Sequence, residues 1–254
     1  MMENPKIVIV LPAYNAGKTL EKTLSYLPRD LAAEIILVDD NSSDDTLEVA
    51  NNLKITALKH EKNLGYGANQ KTCYQEALKR GADIVIMLHP DGQYDPRMVR
   101  GLLMPLELDI CDITLGNRIR SRKETLKRGM PLVKYIFNRL LTFLQNVVLS
   151  QNLGEFSTGY RAYKKAVLEK INWESFSDDF VFDSEFLIAA AYNGFRMGDV
   201  PVPTIYAADS SQINFSRSVK YTLETVLAVV KYILQKSRLF RFAIFKKREL
   251  KYGK

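Results

Sequence analysis

The sequence predicts an α/β fold in which a mostly parallel sheet is flanked by helices. Short apolar runs alternate with helical patterns through the first half of the chain, and this alternation implies crossover units with parallel strands buried on both faces. Polar clusters follow three of the apolar runs, as expected where ligands bind at the carboxyl ends of the strands of an open sheet. A hydrophobic content of 46% over 254 residues is typical of a folded globular protein.

The predicted strands are short apolar runs that end at prolines, aspartates or other turn residues. They comprise residues 7–11, 34–38, 55–59, 83–88 and 113–115. The helices between and after them comprise residues 17–27, 44–52, 67–80 and 96–104. Ser42 and Ser43 are good N-cap residue types for the second helix, and Gly81 is a good C-cap for the third.

Two longer amphipathic helices are predicted in the second half of the chain, at residues 130–149 and 219–236. Each has one polar stripe, which in the first helix includes Lys134 and Asn138, and is apolar around the rest of its circumference. Neither contains the roughly 18 uninterrupted apolar residues that are needed to span a bilayer. The helices therefore pack into the core or lie in a membrane interface, and the sequence leaves both possibilities open.

The basic excess lies at the C-terminus. Residues 236–254 contain eight basic residues and one acidic residue, and their net charge of +7 equals that of the whole chain. Leucine, isoleucine and phenylalanine side chains are interleaved with them. Such a segment suits an anionic membrane surface, where each Lys or Arg contributes about 1 kcal/mol. A disordered, solubilising tail is the alternative.

Several classes of protein are disfavoured by the same sequence. The two cysteines, Cys73 and Cys111, are far apart and support neither a disulfide framework nor a zinc site. No GxGxxG motif follows the first strand, which argues against a dinucleotide dehydrogenase. The body of the chain is formally neutral, which argues against a nucleic-acid binder. Residues 1–6 lead directly into the first strand, so we expect no signal peptide and a cytoplasmic location.

Asp40 is a candidate binding residue because it follows a buried apolar strand, where an unpaired carboxylate would be costly. It could accept hydrogen bonds from a nucleobase or a ribose. It could equally cap the following helix through the turn at residues 41–43, and the sequence does not separate the two interpretations.

Asp91 is a candidate metal ligand. It follows the most hydrophobic strand, in a turn that also contains His89, Gly92 and Gln93. Mg²⁺ favours one or two carboxylates together with substrate phosphates, and Mn²⁺ also accepts imidazole. The alternative is that Asp91 only stabilises an Asx-type turn.

A glycine-containing turn and a basic cluster are further candidates for phosphate contacts. Residues 63–67 lead into a helix and could bring backbone amides near a diphosphate, although a tight loop explains them equally well. The basic residues after the fifth strand could line a mobile loop that meets phosphates, or form a solvated surface. They are Arg118, Arg120, Arg122, Lys123, Lys127 and Arg128.

The order of these motifs resembles that of a family 2 glycosyltransferase with the GT-A (Rossmann-like) fold, similar to polyprenyl- or dolichyl-phosphate sugar synthases. The resemblance covers roughly residues 5 to 205. The matching motifs are Pro12-Ala13-Tyr14-Asn15, Val38 to Asp44, Asn63 to Gly67, Asp91-Gly92-Gln93 with Pro96, Gly116-Asn117-Arg118, Thr158 to Arg161 and Val200-Pro201-Val202. His89 departs from the Asp that usually begins the metal motif, and Ala16 follows Asn15 where an acidic residue is common.

The resemblance implies a role for each motif. Donor-binding residues would be Pro12, Ala13, Tyr14, Asn15, Asp39, Asp40, Gly65 and Arg118. Asp91 and Gln93 would lie at a divalent metal ion, Mg²⁺ or Mn²⁺, with His89 as a further ligand. Arg161 would serve the phosphates or the acceptor, and Glu155 stands where the family often has Asp. Residues 1–210 would form the GT-A catalytic domain, and residues 211–254 an amphipathic helix and basic tail at the membrane interface.

The function implied is metal-dependent, inverting transfer of a sugar from a UDP- or GDP-sugar to a polyprenyl or dolichyl phosphate. A lipid phosphate is already anionic near neutral pH, since its second pKa is about 6, and needs no general base. A hydroxyl acceptor would need one, for which Glu155 and Asp183 are the candidates. A soluble or glycan acceptor and a non-catalytic nucleotide-sugar-binding module are the alternatives. We expect a peripheral protein at the cytoplasmic face of a membrane, which a separate membrane protein could assist.

Overall fold

The computed structural model describes residues 5–28, 30–31, 33–119, 121–127, 129–204 and 215–249. The strands are β1 Ile7–Ala13, β2 Ala33–Asp39, β3 Thr56–Lys59, β4 Ile84–Met87, β5 Ile113–Asn117, β6 Arg161–Lys164 and β7 Met197–Pro201. The helices are α1 Gly17–Ser25, α2 Thr46–Asn52, α3 Tyr66–Lys79, α4 Val99–Glu107, α5 Arg122–Lys127, α6 Leu132–Leu149, α7 Lys165–Lys170, α8 Phe182–Tyr192 and α9 Phe215–Lys236. Short 3₁₀ turns occur at Pro96–Met98, Trp173–Ser175 and Ala243–Phe245.

The described strands form one sheet in the order β3-β2-β1-β4-β6-β5-β7. All neighbouring pairs are parallel except the two that involve β6, which runs antiparallel to β4 and to β5. The predicted mostly parallel sheet flanked by helices is therefore confirmed. Strands β6 and β7 and helices α5, α7 and α8 are additions that the sequence patterns did not predict.

Helices cover both faces of this sheet, so alternate side chains of each strand enter two separate cores. Val8 and Val10 of β1 pack in the core that contains α3, α8 and α9. Ile9 and Leu11 pack in the core beneath α1, α2 and α4. Burial on both faces explains why these strands are uninterrupted apolar runs rather than alternating ones.

Helix boundaries differ from the predictions where a side chain accepts hydrogen bonds from backbone amides at the start of the helix. Helix α2 begins at Thr46 because the carboxylate of Asp44 accepts hydrogen bonds from the Thr46 amide and, across the loop, from the Gly17 amide. The helix predicted at residues 96–104 begins as a 3₁₀ turn capped by Asp95 and continues as α4 to Glu107.

Helices α6 and α9 use only part of their apolar surface for packing. Leu141 and Leu149 of α6, with Val229 and Tyr232 of α9, are buried. The exposed apolar side chains of the two helices form what we call the outer apolar face: Leu132, Val133, Ile136, Phe137, Leu140, Phe143 and Val147 of α6, and Val219, Leu223, Val226, Leu227, Val230 and Ile233 of α9. Within the described part of the chain, no helix combines the length and the apolar character that a membrane span requires.

The described part of the basic C-terminal segment packs against the body of the protein. Ile244 and Phe245 belong to the same core as α8 and α9. The Arg248 guanidinium lies 4.2 Å from the centre of the Trp173 ring and 2.8 Å from Glu174 Oε1. The disordered-tail alternative is therefore wrong for residues 242–248. The predicted domain boundary at residues 210 and 211, the two basic residues Lys251 and Lys254, and Arg120 and Arg128 lie outside the described residues.

Candidate functional site

A cavity of about 560 Å³ lies at the carboxyl end of the sheet, with walls from helices α6 and α9. The turn after β4 and the residues after β5 and before β6 contribute most of its polar groups. The polar lining consists of Tyr66, His89, Asp91, Gln93, Tyr94, Arg118, Lys134, Asn138, Ser157, Asp183, Ser218, Tyr221 and Thr222. The apolar lining includes Val133, Phe137, Leu141, Phe180, Val219 and Leu223.

Asp91 lines the cavity in the position that the sequence predicted. Its Oδ1 atom accepts a hydrogen bond from the Gln93 amide at 2.9 Å, which is the Asx-type turn considered as the alternative. Its Oδ2 atom accepts no hydrogen bond from the described residues. The turn and a ligand-binding role are therefore compatible, because each uses a different carboxylate oxygen.

His89 is held by an aromatic neighbour. Its ring stacks on the ring of Tyr66 with centres 5.4 Å apart, and its Nε2 atom lies 3.2 Å from the Tyr66 hydroxyl. Burial lowers the pKa of His89, and the carboxylates of Asp91 and Asp183 oppose this effect only in part. A lowered pKa favours the neutral imidazole, which is the form that binds metals.

Arg118 and Glu155 form a buried ion pair beside the cavity. Arg118 Nε donates to Glu155 Oε2 at 3.0 Å, and the guanidinium also donates to the Ser157 carbonyl at 2.6 Å. Burial would raise the pKa of Glu155, but the Arg118 charge and hydrogen bonds outweigh it and hold that pKa below its usual range. Glu155 is thus a carboxylate that orients Arg118, and the geometry does not offer it as a general base.

Lys134 is a cavity residue that sequence reasoning placed only on the polar stripe of its helix. It lines the cavity and makes no hydrogen bond or ion pair with the described residues. Burial, and then the nearby Arg118 charge, lower the pKa of this lysine. One turn further along α6, Asn138 donates to the Ser157 hydroxyl at 2.7 Å. The polar stripe was the signal, but only the fold shows that it points toward Arg118.

The carboxylate of Asp40 binds the glycine-containing turn. It accepts hydrogen bonds from the amides of Leu64 at 2.8 Å and Gly65 at 3.0 Å, and it lies 2.7 Å from His60 Nδ1. The Gly65 amide is therefore engaged inside the protein and is not presented to a diphosphate. Asp40 does not cap helix α2 either. The neighbouring Asp39 accepts a hydrogen bond from the Ser42 amide at 3.1 Å.

Arg161 does not reach the cavity. Its side chain is fully buried, and its nitrogen atoms donate to the carbonyls of Thr158 at 2.6 Å, Phe156 at 3.0 Å and Asp183 at 3.1 Å. This corrects the expectation that Arg161 contacts phosphates or the acceptor. A guanidinium with these partners organises the loop before β6, which contains Ser157 and Gly159.

The motif at the end of β1, residues 12–15, lies at the same end of the sheet but does not line the cavity. Pro12 and Ala13 are buried within the strand, whereas the Tyr14 ring is 57% exposed. Asn15 adopts a left-handed backbone conformation with φ of 52°, and its Oδ1 accepts from the Ser43 amide at 2.9 Å. The Tyr14 ring is thus open to a ligand, whereas the exposed Asn15 already uses its Oδ1 atom to bind Ser43.

The possible metal ligands at Asp91 and His89 suit a cation that is bound by only a few protein atoms. Among the described residues, no cluster of three or more His, Cys, Asp or Glu side chains could hold a metal ion. Asp91 offers its Oδ2 atom, and the imidazole of His89 lies two positions before it. Such a pair suits a Mn²⁺ or Mg²⁺ ion that completes its coordination with substrate phosphates and water.

Comparison with known proteins is consistent across sequence and structure. Residues 8–172 match the family described as glycosyl transferase family 2. A protein of Methanococcus voltae named UDP-N-acetylglucosamine–dolichyl-phosphate N-acetylglucosaminyltransferase is 30% identical over 222 residues, covering 81% of this chain and 88% of that protein. The polyprenol monophosphomannose synthase of Mycolicibacterium smegmatis is 23% identical, covering 78% of this chain and 76% of that protein.

Among solved structures, the chain is similar to glucosyl-3-phosphoglycerate synthase from Mycobacterium tuberculosis. The TM-score is 0.66 at 17% sequence identity, and the match covers 90% of this chain and 78% of that chain. That structure contains Mn²⁺, uridine diphosphate and phosphoglyceric acid. At this level of identity the likeness establishes the fold, and it confirms the GT-A architecture that the motifs implied.

Proposed function

The chain belongs to glycosyl transferase family 2 and is a glycosyltransferase, and from this premise we propose that it transfers a sugar from a nucleotide-sugar to a polyprenyl phosphate. The reaction would form a bond between a phosphate oxygen of the acceptor and the anomeric carbon of the sugar. It would break the bond from that carbon to the nucleoside diphosphate, with inversion. The donor would be a UDP- or GDP-sugar.

The observation that carries this proposal is a pair of cations in a cavity with apolar walls. Arg118 and Lys134 line the cavity together with Phe137 and Leu141 of α6 and Leu223 of α9. A phosphate is attracted by the cations, and an isoprenoid chain is accommodated by the apolar walls. The names of the Methanococcus voltae and Mycolicibacterium smegmatis relatives, which refer to dolichyl phosphate and polyprenol, support this acceptor class.

Asp91 is the residue that would hold a divalent cation, with Gln93 beside it and His89 as a further ligand. When bound, such a cation would neutralise charge on the diphosphate of the departing nucleotide. The Mn²⁺ and uridine diphosphate in the similar solved structure support this assignment. On the donor side, the exposed ring of Tyr14 is available for stacking on the base, and the turn formed by Asp39 and Ser42 lies beside it.

A phosphate acceptor agrees with the state of the carboxylates around the cavity. Glu155 is committed to Arg118. Asp183 accepts from Tyr66 and Gln70 and pairs with Arg161. Neither is available to remove a proton from a sugar hydroxyl, whereas a phosphate monoester is an anion near neutral pH and requires no proton removal.

The place of action would be a membrane surface on its cytoplasmic side, where the head group of a polyprenyl phosphate lies. The outer apolar face of α6 and α9 supports this, together with exposed Leu239 and Phe240 between the basic residues Arg238 and Arg241. Apolar side chains flanked by cations suit the interface of an anionic bilayer. A membrane protein partner would be compatible with the same surface.

The test is release of nucleoside diphosphate from a panel of UDP- and GDP-sugars, with Mn²⁺ or Mg²⁺, in the presence and absence of polyprenyl phosphate. We expect turnover to require the lipid phosphate and the cation, and Asp91→Asn to reduce kcat more than tenfold, since even outer-shell changes at metal sites cost ten- to a hundredfold. Asp30→Asn, an exposed acidic residue paired with Arg100, is the matched control and should be unchanged. Turnover with a soluble glycan but not with lipid phosphate, or donor binding without turnover, would overturn the proposal.

A further inference from the structure

Three side chains form a chain of contacts behind the metal motif. Asp183 Oδ2 lies 2.8 Å from the hydroxyl of Tyr66, and the same hydroxyl lies 3.2 Å from His89 Nε2. The other oxygen of Asp183 is 3.2 Å from Gln70 Nε2 and 3.3 Å from the buried Arg161 guanidinium. Asp183 is therefore surrounded by donors and takes part as a hydrogen-bond acceptor.

The direction of these hydrogen bonds determines which nitrogen of His89 carries hydrogen. A tyrosine hydroxyl has a single hydrogen, and here it is donated to the Asp183 carboxylate. Toward His89 the Tyr66 oxygen can then only accept, so Nε2 must be the N–H group. In a neutral imidazole the remaining nitrogen, Nδ1, has a lone pair and no hydrogen.

The ring of His89 is also fixed in its orientation. It stacks on Tyr66 with an angle of 12° between the planes, and the Phe180 ring also packs on Tyr66, with 4.7 Å between ring centres. On the Nε2 side, the backbone of Gly159 approaches so closely that a Cβ atom there would lie 2.4 Å from Nε2. Gly159 thus leaves the space in which the imidazole meets Tyr66.

Two atoms with unused lone pairs belong to residues that are two positions apart in the sequence. His89 Nδ1 accepts no hydrogen bond from the described residues, and neither does Asp91 Oδ2. We propose that Asp183 and Tyr66 are positioning residues that hold His89 as its Nε2–H tautomer, so that Nδ1 joins Asp91 in binding one divalent cation. This inference rests on the proposed function for its biological meaning.

The proposal carries a metal preference. Histidine ligands of metals commonly donate their other N–H to a carboxylate or another acceptor, which fixes the ring, and here the carboxylate acts through a tyrosine. Imidazole suits Mn²⁺ better than Mg²⁺, which prefers oxygen ligands. The site is therefore expected to bind Mn²⁺ more tightly than Mg²⁺, and His89→Asp should reduce that difference.

Nitrogen NMR of ¹⁵N-histidine-labelled protein tests the tautomer directly, because the chain has only two histidines. His60, whose two ring nitrogens face Asp40 and Thr72, is the internal reference. In metal-free protein we expect His89 to carry hydrogen on Nε2, and Tyr66→Phe to produce a mixture of tautomers. Tyr221→Phe removes another cavity hydroxyl, one that contacts Ser184, and should leave the His89 signals unchanged.

Binding of Mn²⁺ alone, followed by the loss of the free-ion signal in electron paramagnetic resonance, is the second measurement. Tyr66→Phe should weaken binding about ten- to a hundredfold, and Tyr221→Phe should not. A His89 with hydrogen on Nδ1 in the unaltered protein, no Mn²⁺ binding, or equal Mn²⁺ affinity in Tyr66→Phe would overturn the inference. The tautomer is read without donor or acceptor, so failure of the proposed reaction would leave that result standing.

Discussion

Among the cavity residues, Lys134 has the environment that most clearly favours binding of an anion. Its ammonium group lies in a cavity with apolar walls, near the Arg118 guanidinium and without an anion of its own among the described residues. Two like charges close together in a partly dry site repel each other, and this repulsion is relieved when an anion binds between them. The lowered pKa of Lys134 agrees with the proposal that an acceptor phosphate binds beside it.

Replacing Lys134 tests whether this side chain binds the acceptor phosphate. Lys134→Gln removes a charge-assisted hydrogen bond of about 1.5–3 kcal/mol, so KM for polyprenyl phosphate should rise at least tenfold. KM for the nucleotide-sugar should change little. Lys79→Gln, on the exposed surface at the end of α3, is the matched control. Steady-state kinetics with each substrate varied in turn would contradict the assignment if both KM values rose together.

At the level of elements, the glycine-containing turn before α3 packs closely against two other segments of the chain. The amide of Gly67 donates to the Asp178 carbonyl at 2.7 Å, and a Cβ atom on Gly67 would lie 2.4 Å from the Ser177 carbonyl oxygen. On the other side of the turn, Asp40 holds the amides of Leu64 and Gly65. The turn thus joins the end of β2 to the loop that contains Phe180, a residue of the cavity wall.

Gly67→Ala should therefore destabilise the protein. The obstacle is backbone that cannot simply rotate away, and overpacking of this kind costs about 1–3 kcal/mol. Gly101→Ala in α4 is the matched control: its Cβ would lie 3.2 Å from the flexible end of the Met98 side chain and 4.0 Å from Val200 Cγ2. There the helical preference of alanine should leave stability unchanged or raise it by up to about 1 kcal/mol. Urea unfolding of the two variants would contradict this account if their midpoints shifted equally.

The strands that could be predicted from the sequence are those that consist of uninterrupted apolar runs. The strands β1, β2 and β4 are apolar on both faces, so short apolar runs identify them, and Asp91 follows the carboxyl end of β4. Strand β6 was missed because it contains Arg161 and Lys164. An arginine breaks the apolar pattern that identifies a buried strand. The sequence does not show that a carbonyl in the adjoining loop accepts a hydrogen bond from this guanidinium. Periodicity marked α6 as amphipathic but could not say that its polar stripe faces Arg118.

At the scale of the whole molecule, apolar surface is distributed unevenly. The outer apolar face belongs to α6 and α9, which contact each other on one side of the sheet. The described end of the chain returns from α9 to the body of the protein with Leu239 and Phe240 exposed at the turn. Residues of both helices also line the cavity, so under the proposed function a lipid substrate and a membrane surface would meet the protein at one place.

Sedimentation with anionic liposomes tests this orientation. We expect binding that weakens as salt is added, because the cationic contribution is screened. Replacing Phe143, which is 69% exposed on α6, and Leu227, 52% exposed on α9, by serine should weaken binding more than tenfold, since each burial contributes about 1.5–3 kcal/mol. Met104→Ser is the control, because Met104 is 56% exposed on α4, on the opposite face of the sheet. Equal binding by the double variant and the control would contradict the orientation.

The stacking of Arg248 on Trp173 gives the protein an optical reporter of its own. Trp173 is the only tryptophan in the chain and is fully buried, so the ultraviolet fluorescence of indole comes from one dry site beneath the C-terminal segment. That site is not part of the cavity lining. A shift of the emission toward longer wavelengths would therefore signal that residues 242–248 have separated from the body and admitted water. Donor or acceptor binding alone would leave the wavelength of the emission maximum unchanged.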